Sequence, residues 1–328
     1  MRPRVYVTQP IAESALLRLK EIAEVELNDD SSRIPVKDKL IDAAKRSDIL
    51  LCLLHDTIDR EVLAANPNLK AVASMTITPD RIDVTEATNR KIIVTNIPAV
   101  VTDATADIAF GLLLAVGRRI VEGDRVVRSG VFPGSQSNHL AGAAVSGKTL
   151  GIVGMGRIGQ AVARRARGFD MTILYSDPRG LSVEEEQALG LRSVSFEELL
   201  GQSDFISLHP QLNNETHHLM GPRQFALMKR TAYLINTSRG PIIDEKALAQ
   251  ALTEGRIAGA GIDVYENEPK IERALLTMNN VVLTPHLGSA VMELRERMAH
   301  VVVDNIAAIA EGRLPPNCIN PAVFAPGA

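Results

Sequence analysis

A glycine triplet in mid-chain, Gly154-Met155-Gly156-Arg157-Ile158-Gly159, constrains the fold more than any other stretch. A bare GxGxxG run is a weak signal, and its surroundings give this one its meaning. Residues 148–153 ahead of it form a short apolar β-type run, and residues 160–166 behind it read as helix. Another apolar run, 171–175, ends close to Asp177, which stands 18 residues beyond Gly159. That is the strand–turn–helix–strand–acid order of a dinucleotide-binding βαβ unit. In such a unit Gly154 permits the tight turn, Gly156 lets backbone approach a pyrophosphate, and Gly159 lets helix pack on strand. The following helix offers N–H groups and the positive end of its dipole to the phosphates.

The chain of 328 residues is long enough for two domains, and 45% hydrophobic content supplies a substantial core. A net charge of −3 argues against a nucleic-acid footprint, which needs clustered positive charge. The pairs Arg118-Arg119 and Arg164-Arg165 read as solvated helix faces. Cys52 and Cys318 lack metal-ligand or CxxC spacing, and no metal site is expected. The N-terminal apolar run Val5-Tyr6-Val7 is too short for a signal-peptide core. The longest apolar stretch, 108–116, is well short of a membrane span. A cytoplasmic protein is expected.

Short β-type runs alternate with helical patterns over the first hundred residues. Strands are expected at 5–7, 25–27, 49–54, 71–73 and 92–94, with helices near 11–22, 37–46 and 59–65. This alternation implies a parallel sheet covered by helices. Residues 103–128 read as one long amphipathic helix, followed by a Gly- and Ser-containing arm over 132–144. A second alternation begins at Lys148, with six expected strands at 149–153, 171–175, 204–208, 232–235, 259–262 and 281–283. A last helix, near 289–311, follows that completed sheet with no strand to precede, so the chain is expected to return to the first domain.

Three polar segments follow successive strands of the second half, where ligands sit in open α/β sheets. They are Asn236-Thr237-Ser238-Arg239-Gly240, Asp263-Val264-Tyr265-Glu266-Asn267-Glu268-Pro269 and Thr284-Pro285-His286-Leu287-Gly288-Ser289. An arginine can grip a carboxylate bidentately. A histidine titrates near neutral pH and suits acid–base work. A carboxylate beside it would stabilise the imidazolium. Singly, each residue has a duller use as ion pair, structural histidine or helix cap. Jointly, after consecutive strands and beside a nicotinamide site, they suit reduction of a 2-keto acid.

On these motifs, together with Val101-Thr102-Asp103-Ala104-Thr105-Ala106-Asp107, the sequence resembles the D-isomer-specific 2-hydroxyacid dehydrogenase family over nearly its whole length, in particular its glyoxylate/hydroxypyruvate reductase-like branch. The resemblance implies an α/β fold of two Rossmann-like domains, with parallel sheets flanked by helices and an inter-domain cleft. Residues 1–98 and 287–328 would form a discontinuous, flavodoxin-like substrate-binding domain. Residues 99–286 would form the NAD-binding domain, including a dimerisation helix and arm over 103–147, so a homodimer is implied. By resemblance, Arg239 binds the substrate carboxylate and carbonyl, and Glu268 pairs with His286, which protonates the carbonyl oxygen. Asp263 contacts the nicotinamide amide or the catalytic network. Thr105 lies near the nicotinamide, Thr237 and Gly288 bind the cofactor, and Arg157 and Ile158 line the pyrophosphate turn. His209 and Thr216 flank the cofactor. His217 and His218 are adjacent and without partner ligands, so a metal reading is rejected.

Two departures from the family pattern stand out. In 74–83 the loop whose amides help cradle the carboxylate carries Thr78 in place of the usual glycine, followed by Pro79, which has no N–H. Amides at Ile77 and Thr78 remain to contact substrate. In His209-Pro210-Gln211 the proline comes one place early. Asp177 favours NAD(H) by accepting from ribose hydroxyls and repelling a 2′-phosphate, while nearby Arg179 leaves NADP(H) open. The resemblance extends to two other activities, a D-3-phosphoglycerate dehydrogenase and an NAD-sensing co-repressor-like binding protein. The substrate expected is a small 2-keto or D-2-hydroxy acid.

Overall fold

In a computed structural model of the chain, residues 2–28, 30 and 33–324 are described. Residues up to Val100, together with those from Val291 onward, form one compact unit, and Val101–Ala290 form the second. These divisions fall a few residues beyond 98/99 and 286/287.

Among the described residues, the first unit holds five parallel strands: β1 (Arg4–Val7), β2 (Glu24–Leu27), β3 (Ile49–Cys52), β4 (Ala71–Ser74) and β5 (Ile93–Thr95), in the order β2-β1-β3-β4-β5. β3 and β4 are buried along their whole length. This explains their uninterrupted apolar text, since a parallel strand covered on both faces has no polar side to show. Helices α1 (Glu13–Ile22), α2 (Lys37–Arg46), α3 (Arg60–Ala64) and α4 (Val84–Asn89) connect them. The long helix Met292–Ala310 packs against α1 and β4 and buries Met298, Val302, Val303 and Ile306. Beyond it, the Asn320 side chain accepts from the Val94 N–H at 2.8 Å and donates to the Ile92 carbonyl at 2.9 Å, stitching the chain's end to β5.

The second unit opens with α5 (Thr102–Gly117) and α6 (Ile120–Arg128). One continuous helix was expected here, and the structure breaks it. Arg119 takes a left-handed backbone, φ 55°, and the Gly117 carbonyl accepts the Ala143 N–H at 2.8 Å instead of continuing the helical ladder. The arm thus returns onto the end of α5. Nor is Arg119 a simple solvated side chain: it forms a two-pronged pair with Glu122, both contacts 2.8 Å.

The sheet that follows has seven parallel strands rather than the expected six. They are β6 (Thr149–Val153), β7 (Thr172–Ser176), β8 (Leu191–Ser193), β9 (Phe205–Leu208), β10 (Tyr233–Asn236), β11 (Gly259–Ile262) and β12 (Val281–Leu283), in the order β12-β11-β10-β9-β6-β7-β8. The extra strand, β8, is a three-residue edge with two exposed positions, too short and too polar to read as a strand. Between the strands run α7 (Arg157–Arg167), α8 (Val183–Leu189), α9 (Phe196–Gln202), α10 (Pro222–Leu227) and α11 (Glu245–Thr253). One face of the sheet buries Ile152, Tyr175 and Phe205 with Leu113 of α5 and Val162 of α7. The other buries Ile206 and Leu234 with Leu199 of α9, Phe225 of α10 and Leu248 of α11. Strand order reverses between β6 and β9, and the glycine turn leaves β6 at that point, where connections diverge and open a crevice. Among the described residues, no helix is long and apolar enough to cross a membrane.

Candidate active site

The turn after β6 requires its glycines for distinct steric reasons. Gly154 has φ +87°, and a Cβ there would meet the Pro210 nitrogen at 2.6 Å and the His209 carbonyl carbon at 2.7 Å. A Cβ on Gly159 would collide with the Gly154 carbonyl oxygen. Gly156 differs: a Cβ there would meet nothing within 4 Å, so its bareness leaves open space in front of the first turn of α7. That first turn carries no side-chain cap. Its N–H groups therefore point at whatever occupies the space. Arg157 is exposed at this helix start, while Ile158 packs partly into the core. Asp177, just past β7, reaches back to the turn: its carboxylate accepts from the Met155 N–H and from the Arg179 N–H, both at 2.8 Å.

His209 follows β9. Its N–H donates to the Val153 carbonyl at 2.7 Å, locking β9 to the glycine strand. Its Nε2 lies 2.8 Å from the Ser207 hydroxyl, while Nδ1 is buried with no hydrogen-bond partner among the described residues. Burial pushes this imidazole down to about 3, so it is neutral at physiological pH. Thr237, after β10, likewise buries its hydroxyl with no partner. Open space at Gly156, an uncapped helix start, a carboxylate at the next strand end and two orphaned polar atoms are what a bound dinucleotide would complete.

The Arg239 loop is shaped by Asn236 and Ser238. Asn236 donates to the Arg239 carbonyl at 3.0 Å and accepts from the Ser238 N–H at 3.0 Å. The Ser238 hydroxyl donates to the Pro210 carbonyl at 2.5 Å, tying this loop to the one after β9. The Arg239 guanidinium donates to the Ser238 carbonyl at 2.7 Å.

Strands β11 and β12 bring the remaining groups together. His286 Nδ1 lies 3.1 and 3.2 Å from the two Glu268 carboxylate oxygens, and the Tyr265 N–H donates to Glu268 at 2.9 Å. Both side chains are mostly shielded, at 20% and 11% exposure, so the pairing acts in a medium less screening than water. His286 holds φ 55°, an uncommon conformation for a residue with a Cβ. Asp263 enforces it. Its carbonyl accepts the His286 N–H at 3.0 Å. Its carboxylate accepts from the Thr284 hydroxyl at 2.6 Å, the Leu287 N–H at 2.7 Å and the Gly288 N–H at 2.9 Å. Burial raises the Asp263 carboxyl above the usual range, while these donors and the charge of His286 oppose it. Thr105 of α5 closes the arrangement, donating to the Gly288 carbonyl at 3.2 Å.

A model of the D-isomer specific 2-hydroxyacid dehydrogenase NAD-binding domain matches residues 110–288. The chain is 48% identical over 324 residues to a glyoxylate reductase of Thermococcus litoralis, covering 98% of this chain and 97% of that one. It is 50% identical over 323 residues to a glyoxylate reductase of Korarchaeum cryptofilum, covering 98% and 96%.

The chain belongs to the D-isomer-specific 2-hydroxyacid dehydrogenase family.

Among solved members, the NADPH-dependent glyoxylate/hydroxypyruvate reductase of Sinorhizobium meliloti, in complex with NADP and malonate, superposes with a TM-score of 0.79 at 31% identity, covering both chains fully. As a 2-hydroxyacid dehydrogenase the protein is an oxidoreductase acting on CH–OH groups, and its second unit is an NAD-binding domain. The residues that would hold the dinucleotide are Gly154, Gly156, Arg157, Ile158, Gly159 and Asp177 on one side of the strand reversal, with His209 and Thr237 on the other.

The structure gathers Glu268 and His286 with Asp263, Thr105 and Gly288, and ties the Arg239 loop to the His209 loop. Thr216 is engaged within its own loop, its hydroxyl donating to the Gln211 carbonyl at 2.6 Å. In the first unit, Ile77 and Thr78 follow β4. There the Asn96 side chain donates to the Ile77 carbonyl at 2.7 Å and the Thr76 hydroxyl donates to the Thr78 carbonyl at 2.7 Å. Asn236, Ser238 and Tyr265 were not singled out from the sequence. Asn236 and Ser238 had a signal, since Asn and Ser just past a strand commonly bond nearby backbone.

Proposed function

We propose that this chain catalyses the reversible reduction of a small 2-keto acid, glyoxylate or hydroxypyruvate, to the corresponding 2-hydroxy acid, of D configuration where the product is chiral. The observation that carries the reading is the His286–Glu268 pair at the ends of β11 and β12, in the same domain as the dinucleotide turn. The nicotinamide, when bound, supplies the hydride for reduction and takes it back in oxidation. The protein's own work is binding and proton transfer. Arg239 holds the substrate carboxylate and polarises the carbonyl. Glu268 occupies His286 Nδ1, so Nε2 is the atom that gives a proton to the carbonyl oxygen and recovers it in the reverse direction. Asp263 fixes the loop that aims the imidazole.

NAD(H) is the preferred cofactor in this reading, because the Asp177 carboxylate beside the turn repels a 2′-phosphate. The name of the Sinorhizobium relative keeps NADP(H) compatible with the fold. The active species is a homodimer built through α6 and the arm. A cytoplasmic location belongs to the same proposal. The test is a panel of glyoxylate, hydroxypyruvate, pyruvate, 3-phosphohydroxypyruvate and a bulkier keto acid, each with NADH and with NADPH, followed by loss of reduced-nicotinamide absorbance. Glyoxylate and hydroxypyruvate with NADH are expected to give the highest kcat/KM. A preference for the phosphorylated acid would replace this reading by a phosphoglycerate dehydrogenase.

A further inference from the structure

The strand that leads to Asp177 carries a phenol in its interior. Tyr175, two residues earlier on β7, is fully buried, and its ring lies in the core that the sheet shares with α5 and α7. A phenylalanine would fill the same space, so the hydroxyl has a separate purpose. A buried hydroxyl costs free energy unless it is bonded. This one is bonded twice. It accepts from the Leu181 N–H at 3.0 Å and donates to the Glu186 carboxylate at 2.6 Å.

Both partners lie beyond Asp177 in the chain. Glu186 belongs to α8, whose start is closed by the Ser182–Glu185 capping box. The other end of α8 is tied to α7, where the Arg167 guanidinium donates to the Ala188 carbonyl at 3.0 Å. Between β7 and α8 runs the turn 177–180, closed by the Gly180 N–H donating to the Asp177 carbonyl at 3.1 Å. Pro178, Arg179 and Gly180 are all exposed, so hydrogen bonds at the two ends of the turn, rather than packing, set its position. At its entry the Asp177 carboxylate is aimed by two backbone donors at 2.8 Å each, Met155 of the glycine turn on one oxygen and Arg179 of its own turn on the other. At its exit stands Leu181, pinned by the phenol. The Tyr175 ring is fixed in the core, so its oxygen is a rigid post from which the exposed turn hangs.

We propose that Tyr175 is a positioning residue for the adenosine end of the dinucleotide: through Leu181 it holds the 177–180 turn so that the Asp177 carboxylate stays against the glycine turn, where it accepts from ribose hydroxyls and disfavours a 2′-phosphate. Without the hydroxyl the turn loses its exit anchor and the carboxylate is free to withdraw. That weakens NADH and relaxes the exclusion of NADPH.

The inference rests on the reading of Asp177 given above, and its test keeps the two apart. Full-length wild type, Tyr175→Phe, Asp177→Ala and the double variant are compared, with Glu186→Ala as a second break in the same link. The chain has no tryptophan, so the fluorescence of the reduced nicotinamide reports binding without interference. Dissociation constants are measured in this way for NADH and NADPH, and by calorimetry for ADP-ribose, which lacks the nicotinamide. Thermal unfolding is followed alongside.

Tyr175→Phe is expected to weaken NADH and ADP-ribose about fivefold, the size of one lost hydrogen bond, with NADPH within about twofold of wild type. In the double variant NADH affinity equals that of Asp177→Ala alone, because the tyrosine acts through the carboxylate. Glu186→Ala gives the same pattern at smaller size, and carries the test should Tyr175→Phe fail to fold. Unchanged NADH affinity in Tyr175→Phe, equal weakening of NADH and NADPH, or losses that add in the double variant overturn the proposal. An Asp177→Ala chain that binds NADH as wild type does removes the reading of Asp177 itself, and the proposal with it.

Discussion

In the proposed reaction His286 would carry the proton and Arg239 would carry the substrate, so their removal should separate kinetically. His286→Ala is expected to lower kcat by about two to four orders of magnitude with a modest change in KM, as for loss of a general acid–base. Arg239→Ala should raise KM and lower kcat together, because the guanidinium both binds and polarises. Full turnover in His286→Ala would remove the imidazole from the mechanism. His209 makes a different prediction. Its folded pKa, pushed down to about 3, lies far below the unfolded histidine value of about 6.5. As pH falls through that window the unfolded chain takes up a proton that the native chain refuses, so stability present above about pH 6.5 is lost toward pH 3. Asp263 and Glu245, raised by burial, act in the opposite sense above the ordinary carboxylate range. Urea midpoints measured from pH 7 to pH 4 should therefore fall less steeply in His209→Gln than in wild type, and parallel curves would refute the buried neutral imidazole. The pairing of Glu268 with His286 was legible because both stand in polar segments that follow successive strands. The anchoring of His286 by Asp263 was not, because it depends on a left-handed turn that appears only once β11 and β12 lie side by side.

The strand–turn–helix element separates two uses of glycine that look identical in sequence. Gly159→Ala forces a methyl group onto the Gly154 carbonyl, so α7 must move off the turn. A loss of about 1–3 kcal/mol of stability is expected, as for overpacking elsewhere, with weakened NADH binding as a consequence. Gly156→Ala meets open space and takes φ −73°, which alanine adopts freely. Its thermal unfolding should match wild type while NADH affinity drops at least about tenfold, because the methyl group occupies the approach of the pyrophosphate. Equal NADH affinity in Gly156→Ala would place the phosphates elsewhere. The pattern of apolar runs located the strands it could: β6, β9 and β10 are buried almost throughout and read as mainly apolar segments. It failed at β8, whose three residues pair only along one edge. It passed over α8, although Ser182-Val183-Glu184-Glu185 is a capping-box text that the structure realises in full. The break between α5 and α6 was invisible because both sides of it suit a helix; the hydrogen bond from Ala143, far along the chain, decides it.

At the scale of the whole molecule, α6 and the arm that follows it reach the core through Val121 and Ala143 yet leave large apolar side chains exposed. None of the nine residues of α6 is buried, yet the helix is amphipathic. Ile120 and Val127, seven positions and two turns apart, are 56% and 59% exposed, and the adjoining Val131 and Phe132 are 60% and 74% exposed. The Arg128–Asp124 pair at 2.9 Å lies on the same side of the helix, since Asp124 stands four residues after Ile120 and three before Val127. Exposed apolar side chains that run from the helix into the arm, with a charged pair among them, have the form of a surface that packs against another one. In the homodimer proposed above, a second copy of the same surface would cover it with twofold symmetry, the commonest arrangement in soluble oligomers. A stable interface of this kind needs about 800 Å² from each partner, more than one nine-residue helix offers, so the returning arm must take part. Light scattering at micromolar concentration is expected to give twice the chain mass of 35.5 kDa. Val127→Asp combined with Phe132→Ser places a charge and a hydroxyl where the apolar stripe would close. Because neither side chain contributes to the sheet core, the double variant should fold with an NADH-binding turn intact and run as a monomer at that concentration. A wild-type monomer, or a double variant that stays dimeric, would assign the exposed stripe to some other partner.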